Sequence, residues 1–375
     1  MRPATPAPRT GHTDAVLLQR ASEAMAWWTE QTDRTATSSI TGGGTIAELE
    51  EALLDLLGSD DHCLALPSGS TALLIALEAV GVQAGDEVLT AAYDWDAALT
   101  AIRRIGATPV FLNVDPSSAT IEPTAVRAAL TARTAACIAT DLFGIPADIP
   151  ALREALRGTP IVEDAAQALG STLDAVSTGA LGADVTVFSF GPGKIVDAGE
   201  GGALVTAHRR LHEYAVQATQ HPVRQQLTGL CPRPASSSAR ISPLSALIAA
   251  HQLRRLDLGE QQHARWAAVQ HVRLAHPGVR VLGDCSRRTN PVLDLIVDPG
   301  PGTYSTDHVH RVSLPGATWL DPTRPAPDWV ARLRRASPPS STPPNARKEV
   351  NTVAHCTSCG MGRCARCGDS KNDPQ

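Results

Sequence analysis

The chain has 375 residues, of which 43% are hydrophobic, so it is long enough for a large domain with a buried core and a smaller second domain. Its net charge of −5, with both signs intermixed, disfavours nucleic-acid binding, which needs a basic surface. Residues 1–13 lack the apolar run of a signal peptide, and no segment is apolar over the roughly 18 residues that a membrane helix needs. We therefore expect a soluble, cytoplasmic protein with neither nucleic-acid nor membrane partners.

The first two hundred or so residues show a repeating pattern. From about residue 45 to 206, short apolar runs alternate with amphipathic helical patterns, which is typical of βα units and a mostly parallel sheet. A first helix is predicted from a capping box of Thr45 and Glu48 to a stop at Gly58, and a second over residues 71–80. Strands are predicted at residues 63–66, 88–91, 109–112, 135–140, 160–163, 184–190 and 202–206. The pattern predicts an α/β fold.

The remainder of the chain divides into a second domain and a tail. Ser242 followed by Pro243 predicts the start of a connecting helix that continues to about Asp257. The proline-rich and serine-rich residues 337–345 are typical of a linker. We predict an N-terminal segment over 1–44, a large domain over 45–240, a connecting helix and small domain over 241–335, and a linker with a cysteine-rich tail over 336–375.

Lys194 is set apart by the basic composition. The chain has 33 basic residues, yet only Lys194, Lys348 and Lys371 are lysines, and Lys194 alone precedes the tail. A lysine retained where arginine is otherwise used indicates chemistry that a guanidinium cannot perform, because an amine can lose its proton and a guanidinium cannot. Lys194 also follows a predicted strand and a Gly-Pro-Gly turn, where an amine beside a cofactor aldehyde forms an imine. The alternative is the chance retention of a surface lysine.

Other candidate residues follow predicted strands. Asp164 directly follows the strand predicted over 160–163, at the edge where open α/β sheets bind ligands. Its carboxylate can pair with a protonated pyridine nitrogen. The Ser68-Gly69-Ser70 turn precedes a helix, where backbone N–H groups and the helix dipole suit a phosphate, although such turns are common. Trp95 follows another strand and can stack on a flat ring or belong to the core.

Four stretches, in this order, resemble the DegT/DnrJ/EryC1/StrS family of fold-type I enzymes that use pyridoxal 5'-phosphate (PLP), the sugar and aminocyclitol aminotransferases. They are Leu-Pro-Ser-Gly-Ser-Thr-Ala-Leu (66–73), Glu-Asp-Ala-Ala-Gln-Ala-Leu-Gly (163–170), Phe-Ser-Phe-Gly-Pro-Gly-Lys (188–194) and Gly-Glu-Gly-Gly-Ala-Leu-Val-Thr (199–206). The resemblance covers roughly residues 40–260. It implies the PLP-dependent transferase fold, with a mixed, mostly parallel sheet and a smaller C-terminal α/β domain, which is shortened here.

The resemblance also implies an activity and an assembly. The activity is transfer of an amino group from an amino acid such as glutamate or glutamine to a keto sugar, cyclitol or related intermediate of specialised metabolism, such as antibiotic biosynthesis. The assembly is a homodimer with shared active sites. Position by position, it implies Lys194 as the Schiff-base lysine, Asp164 as the partner of the pyridine nitrogen, Gln167 near the phenolic oxygen or ring face, Trp95 stacked on the ring, and Gly69, Ser70 and Ser189 on the phosphate.

Two residues depart from the family pattern. Asp141 stands where the family usually has histidine before Leu-aromatic-Gly, which predicts an anionic group near the site. Ser238 stands where the family often has the asparagine that reaches the neighbouring subunit's phosphate, and serine has a shorter reach. With the shortened second domain, these departures leave open elimination, decarboxylation or oxidation of an amine-bearing substrate. A further alternative is a non-catalytic regulator or scaffold whose cysteine tail binds a metal or a partner.

The tail carries a separate motif. Cys356, Cys359, Cys364 and Cys367 form two Cys-x-x-Cys pairs, which can bind zinc tetrahedrally. The pairs are closer together than in usual zinc ribbons, so an unstructured or redox-sensitive tail is the alternative to a zinc site.

Overall fold

The computed structural model describes residues 12–30, 38–275, 278–283, 287–289, 291, 295–298, 317–328, 330 and 334–336. Its helices are α1 (His12–Thr29), α2 (Thr45–Leu57), α3 (Gly69–Ala79), α4 (Asp96–Ile105), α5 (Pro123–Ala129), α6 (Ile149–Leu156), α7 (Arg209–Thr219), α8 (Pro222–Leu227), α9 (Pro243–Leu253) and α10 (Leu258–Ala275). Its strands are β1 (His62–Leu66), β2 (Glu87–Ala91), β3 (Tyr93–Trp95), β4 (Thr108–Leu112), β5 (Thr134–Thr140), β6 (Ile161–Asp164), β7 (Thr172–Leu173), β8 (Val176–Ser177), β9 (Val185–Ser189), β10 (Gly202–Thr206), β11 (Arg280–Val281), β12 (Arg288–Thr289), β13 (Leu295–Asp298), β14 (Ala317–Trp319) and β15 (Arg334–Ala336).

A seven-stranded sheet organises the larger part of the molecule, in the order β1-β10-β9-β6-β5-β2-β4. Within this sheet β10 runs antiparallel to both of its neighbours, whereas β9, β6, β5, β2 and β4 pair in parallel. The prediction of an α/β fold with a mixed, mostly parallel sheet is confirmed, and each of the seven strands predicted from the sequence is present.

Helices cover both faces of the sheet because side chains on a strand alternate between its two faces. On β1, Leu64 and Leu66 join a core with α3, α4 and α7, whereas Cys63 and Ala65 join a core with α2 and α9. A third core lies between the β2, β4 and β5 part of the sheet and α5 and α6. The layers bury the strands and leave their carboxyl ends along one edge.

The first described helix is part of this packing. Ala24 of α1 is fully buried in the core that includes α2 and α9, and Leu17 and Trp27 pack against the same core. Residues of the predicted N-terminal segment therefore stabilise the large domain.

The start of α2 differs from the predicted capping box. Gly44, with φ 66°, occupies the N-cap position, and Thr45 is the first helical residue. The Thr45 hydroxyl donates instead to the Pro243 carbonyl oxygen, 3.0 Å away, so it joins α2 to α9. The predicted stop is confirmed, because Gly58 adopts the left-handed conformation with φ 62°.

The connecting helix is also shorter than predicted. Ser242 caps α9 as expected, since its hydroxyl accepts a hydrogen bond from the Leu244 N–H. The prediction that this helix continues to about Asp257 is wrong, because α9 ends at Leu253. Asp257 begins the next helix, its carboxylate accepting a hydrogen bond from the Glu260 N–H at 2.9 Å.

The C-terminal part forms small sheets. Strands β11, β13 and β15 make a three-stranded antiparallel sheet, and Val269 and Val272 of α10 pack against Val281 of β11. Strand β14 pairs with β3, which brings residues 317–319 back to the large sheet's carboxyl edge. None of the helices described here is long and apolar enough to cross a membrane.

Candidate active site

The carboxyl ends of the parallel strands bring the predicted residues to one edge. Asp164 ends β6 and lies opposite Thr140 of β5 and Val187 of β9. Ser189 ends β9 and lies opposite Gly202 of β10, which in turn lies opposite the last residue of β1. The cofactor-binding candidates from β1, β6 and β9 are therefore neighbours, as expected for an α/β sheet.

The N-terminus of α3 approaches β9 and β10 tightly, as the predicted phosphate site requires. Helix α3 begins at Gly69, two residues before the predicted start, and the Ser68 hydroxyl caps it by accepting from the Thr71 N–H at 3.1 Å. A Cβ added to Gly69 would lie 2.9 Å from Ser189 Cβ, and one added to Gly202 would lie 2.5 Å from Gly69 N. Glycine at both positions lets the Ser189 hydroxyl lie beside the first N–H groups of α3, where the helix dipole favours an anion.

Ser70 completes this turn in a different environment from Gly69. Gly69 is buried, whereas Ser70 is exposed, so the Ser70 hydroxyl is accessible to a ligand at the helix N-terminus. The three phosphate candidates, Gly69, Ser70 and Ser189, are thus brought together.

Asp164 is a buried acceptor at the centre of the edge. One carboxylate oxygen accepts a hydrogen bond from the Ala166 N–H at 3.1 Å, and the side chain is largely buried. Burial raises the pKa of Asp164, and the positive charge of Lys194 opposes that rise. Its anionic form is therefore stabilised by a nearby cation, which is the property needed to pair with a protonated ring nitrogen.

Lys194 lies in the lysine loop, residues 191–201, between β9 and β10. The side chain is half-buried, and its backbone N–H donates to the Gly191 carbonyl oxygen at 3.3 Å. The prediction that Lys194 and Asp164 occupy one edge agrees with the effect of the lysine on the carboxyl group.

Asp197 holds the lysine loop together, a role that no motif in the sequence predicts. Its two carboxylate oxygens accept hydrogen bonds from the N–H groups of Gly193, at 3.2 Å, and Gly199, at 3.0 Å. Arg20 of α1 lies 3.3 Å from the same carboxylate. Gln252 of α9 bonds the Asp197 backbone on both sides, donating to its carbonyl oxygen at 2.9 Å and accepting from its N–H at 3.3 Å. Helices α1 and α9 thus position the loop that carries Lys194.

Trp95 ends β3 and precedes α4, with 39% of its surface exposed. Its N–H donates to Asp94 at 2.7 Å, and the Thr140 hydroxyl donates to the other Asp94 oxygen, also at 2.7 Å. Burial, together with repulsion from Asp164, raises the pKa of Asp94 to about 8. Trp95 is therefore accessible for stacking, and Asp94 fixes its backbone. The sequence motifs do not predict this role of Asp94.

Gln167 and Asp141 link the ends of β5 and β6. The Gln167 side-chain oxygen accepts a hydrogen bond from the Phe143 N–H at 3.0 Å, next to the 3₁₀ turn over Leu142–Gly144. The Asp141 side chain is fully buried and accepts from the Ala147 N–H at 2.8 Å. Burial and the neighbouring Glu163 raise the pKa of Asp141 well above its usual range. Burial and Glu163 therefore favour the protonated form of Asp141, and its effect on the site stays a prediction.

The other predicted sites are less closely defined. Ser238 is exposed in the connection between α8 and α9, and its contact with a neighbouring subunit stays a prediction. Cys356, Cys359, Cys364 and Cys367 lie outside the described residues. Within the described part of the chain, no group of three or more His, Cys, Asp or Glu side chains is placed to hold a metal ion, so the structure gives the zinc prediction no support.

The sheet order and the helix N-terminus at its carboxyl edge are those of the fold-type I PLP-dependent transferase fold. The chain belongs to the DegT/DnrJ/EryC1/StrS aminotransferase family, whose sequence profile matches residues 28–288.

Two curated relatives and one solved structure illustrate the likeness. L-glutamine:2-deoxy-scyllo-inosose aminotransferase of Streptoalloteichus tenebrarius is 33% identical over 230 residues, covering 58% of this chain and 54% of the relative. 3-amino-5-hydroxybenzoate synthase of Amycolatopsis mediterranei is 30% identical over 317 residues, covering 76% of each chain. DesV of S. venezuelae superposes with a TM-score of 0.69 and 25% identity, over 90% of this chain and 94% of DesV. The chain spans about half the length of the curated relatives that it matches first.

Proposed function

We propose that this chain is a PLP-dependent aminotransferase. It would move an amino group from an amino acid such as glutamate or glutamine to the ketone of a sugar, a cyclitol or a related intermediate of specialised metabolism. The observation that carries the proposal is that the half-buried Lys194 and the buried Asp164 lie at one edge of the sheet, beside a glycine-lined helix N-terminus.

The residues at this edge fit PLP. The N-terminus of α3 and the hydroxyls of Ser70 and Ser189 would hold the phosphate, because a cradle that excludes a Cβ at Gly69 leaves backbone N–H groups accessible to an anion. Asp164 would hold the pyridine nitrogen, and Trp95 would cover the ring. When bound, PLP supplies an aldehyde carbon and an electron-withdrawing ring.

The protein's part in the reaction is to hold and move protons. Asp164 would hold a proton on the ring nitrogen, because a buried anion stabilises an adjacent cation. Lys194 would hold the cofactor through its amine, and the same amine, once free, would take a proton from the substrate and return it at the end of a 1,3 shift. Asp197 fixes the backbone on which that amine moves.

The relatives' names support the proposed substrate class. One pairs L-glutamine with 2-deoxy-scyllo-inosose, and another pairs L-glutamine with scyllo-inosose. We propose the same kind of acceptor here, and a homodimer in which the exposed Ser238 reaches the neighbouring subunit's phosphate site. Sedimentation of the purified protein tests the homodimer directly.

The lysine composition makes a sharp test possible. Lys194, Lys348 and Lys371 are the chain's lysines, so borohydride reduction after PLP addition can label three side chains. We expect mass spectrometry to locate the label on Lys194. Lys194→Ala should lose the label and lower turnover by about 10²–10⁴-fold, because it removes the proton-transfer group. The matched control, Lys348→Ala with Lys371→Ala, should keep both. A label that survives Lys194→Ala would contradict the proposal.

A single-turnover experiment then identifies the reaction. Purified, PLP-loaded protein is mixed with L-glutamate or L-glutamine, without an acceptor, and its products are separated. Transamination leaves pyridoxamine phosphate on the protein and releases a keto acid. Elimination, decarboxylation or oxidation would return the aldehyde form, and a regulator or scaffold would show neither product.

A further inference from the structure

Two carboxyl groups meet in the interior behind Asp164. Glu163 lies in β6, opposite Ala139 of β5, and Asp141 follows the end of β5. Both side chains are fully buried, and each carboxyl group acts electrostatically on the other. The Asp141 N–H also donates to the Asp164 carbonyl oxygen at 3.0 Å. The pair therefore adjoins the residue that would hold the ring nitrogen.

Each carboxyl group uses one oxygen for other partners. Asp141 Oδ1 accepts from the Ala147 N–H at 2.8 Å. Glu163 Oε2 accepts from the Thr186 hydroxyl at 2.7 Å and from the Gly179 N–H at 2.9 Å. The remaining oxygens, Asp141 Oδ2 and Glu163 Oε1, are buried and receive no hydrogen bond from any described residue.

A proton shared by the two carboxyl groups would give both unpartnered oxygens a hydrogen bond. Two ionised carboxylates offer no donor to each other, and both would be buried anions, which is costly without a partner. One proton satisfies both oxygens at once and leaves a single negative charge. The charge of Asp164 raises the pKa values of both Asp141 and Glu163. The charge of Lys194 acts to lower the pKa of Asp164, and that of Asp164 acts to raise the pKa of Asp94.

We propose that Asp141 and Glu163 share one proton and act together as positioning residues for Asp164. The shared proton joins the ends of β5 and β6. It thereby fixes the Asp141 N–H, which donates a hydrogen bond to the Asp164 carbonyl oxygen. It also places one negative charge, rather than two, beside the Asp164 carboxylate. The inference rests on the proposed function, since Asp164 matters only if it holds the ring nitrogen.

The effect on Asp164 follows from electrostatics. A second anion in the same low-dielectric interior would favour protonation of Asp164, and a neutral Asp164 holds a ring cation less well. Loss of the shared proton at alkaline pH should therefore weaken the cofactor site. A single amide in place of either acid prevents that loss, because it supplies an N–H donor that does not titrate.

Three variants test the shared proton: Asp141→Asn, Glu163→Gln, and the two combined. In each single variant the amide oxygen keeps the backbone partners and the amide N–H donates to the remaining carboxylate. In the combined variant two amide N–H groups face each other without an acceptor. We expect PLP affinity within about threefold of wild type for both single variants at pH 7, and at least about tenfold weaker for the combined variant. Additive effects in this cycle, or equal losses in all three variants, would overturn the proposal.

Two further measurements separate positioning from simple stability and from the proposed function. The ¹⁵N signal of labelled PLP reports the proton on the ring nitrogen, and in wild type we expect that proton to be lost at lower pH than in either single variant. Asp94→Asn serves as control, since it removes the other nearby titrating acid and should leave this difference intact. An identical pH profile in wild type and Asp141→Asn would overturn the positioning role.

Urea unfolding of the cofactor-free variants repeats the mutant cycle without PLP. It therefore tests proton sharing even if the borohydride experiment shows that Lys194 does not bind PLP, so the two failures remain distinguishable.

Discussion

Two regions at the same edge of the sheet stabilise their carboxyl groups with different kinds of partner. In the lysine loop, the Asp197 carboxylate is partly exposed and meets a cation, Arg20, together with two backbone N–H groups. In the acid cluster, which we define as Asp94, Asp141 and Glu163, the side chains are almost fully buried and their carboxyl groups meet hydroxyls, backbone N–H groups and one another.

The difference shows how burial decides the partner of a carboxyl group. Where water reaches the site, an ion pair with arginine stabilises the charge at little desolvation cost. Where water is absent, retaining a proton costs less than burying an uncompensated anion, so pKa values in the acid cluster rise. We therefore expect the lysine loop to depend on its carboxylate acceptor, and the acid cluster to depend on hydrogen-bond pairing and pH.

The largest effect is expected from removing one member of the acid pair. Glu163→Leu keeps approximate volume but leaves the Asp141 carboxyl, the Thr186 hydroxyl and the Gly179 N–H without their partner. We expect the free energy of unfolding to fall by about 3–5 kcal/mol, as for other buried polar groups deprived of a partner. Urea denaturation at pH 7 measures it. Glu163→Gln is the matched control, and a Glu163→Leu protein as stable as that control would break the comparison.

A smaller effect is expected in the lysine loop. Asp197→Ala removes the acceptor of the Gly193 and Gly199 N–H groups, but water can replace it at this partly exposed position. We expect a loss of about 1–2 kcal/mol in unfolding free energy and an approximately tenfold slower reaction of Lys194 with PLP. Stopped-flow absorbance measures that reaction. Asp197→Asn keeps one acceptor oxygen and should show an intermediate rate, whereas an unchanged rate in Asp197→Ala would remove the positioning role of Asp197.

The two regions also differ in how far the sequence predicts them. The strands that lead to Asp164 and Lys194 are apolar runs bounded by turn residues, and both residues lie within short motifs, so local pattern is sufficient to place them at the carboxyl edge of the sheet. Asp197 lies in the same glycine-rich stretch, yet its role depends on Arg20 and Gln252, which belong to distant helices.

Contacts that local sequence does not show decide the roles of three further residues. Asp141 was predicted as an anion near the site because local sequence does not show that β5 and β6 bring it against Glu163. Thr45 has the sequence signature of a cap, but its hydroxyl bonds to Pro243, almost two hundred residues away. Asp257 is compatible with either the end of one helix or the beginning of the next, and its bond to Glu260 decides for the second.

The effect expected at Asp94 is a change in the pH dependence of stability. The pKa of Asp94 is raised to about 8, above its ordinary value of 3.8, so the folded protein binds a proton that the unfolded chain has released. Its protonation-linked contribution is therefore fully present below the ordinary pKa and declines as pH rises toward 8. Asp94→Asn removes this titration while keeping an amide that can pair with Thr140 and the Trp95 N–H.

We expect the unfolding free energy of wild type to fall more steeply than that of Asp94→Asn between about pH 5 and 8, by at most about 1.4 kcal/mol per pH unit for one proton. Urea denaturation across that range measures the two slopes. Asp197→Asn provides the contrast from the lysine loop, and its slope should follow wild type in this range. Equal slopes for wild type and Asp94→Asn would show that Asp94 is charged in the folded protein, and the distinction between the two regions would then be confined to the Asp141 and Glu163 pair.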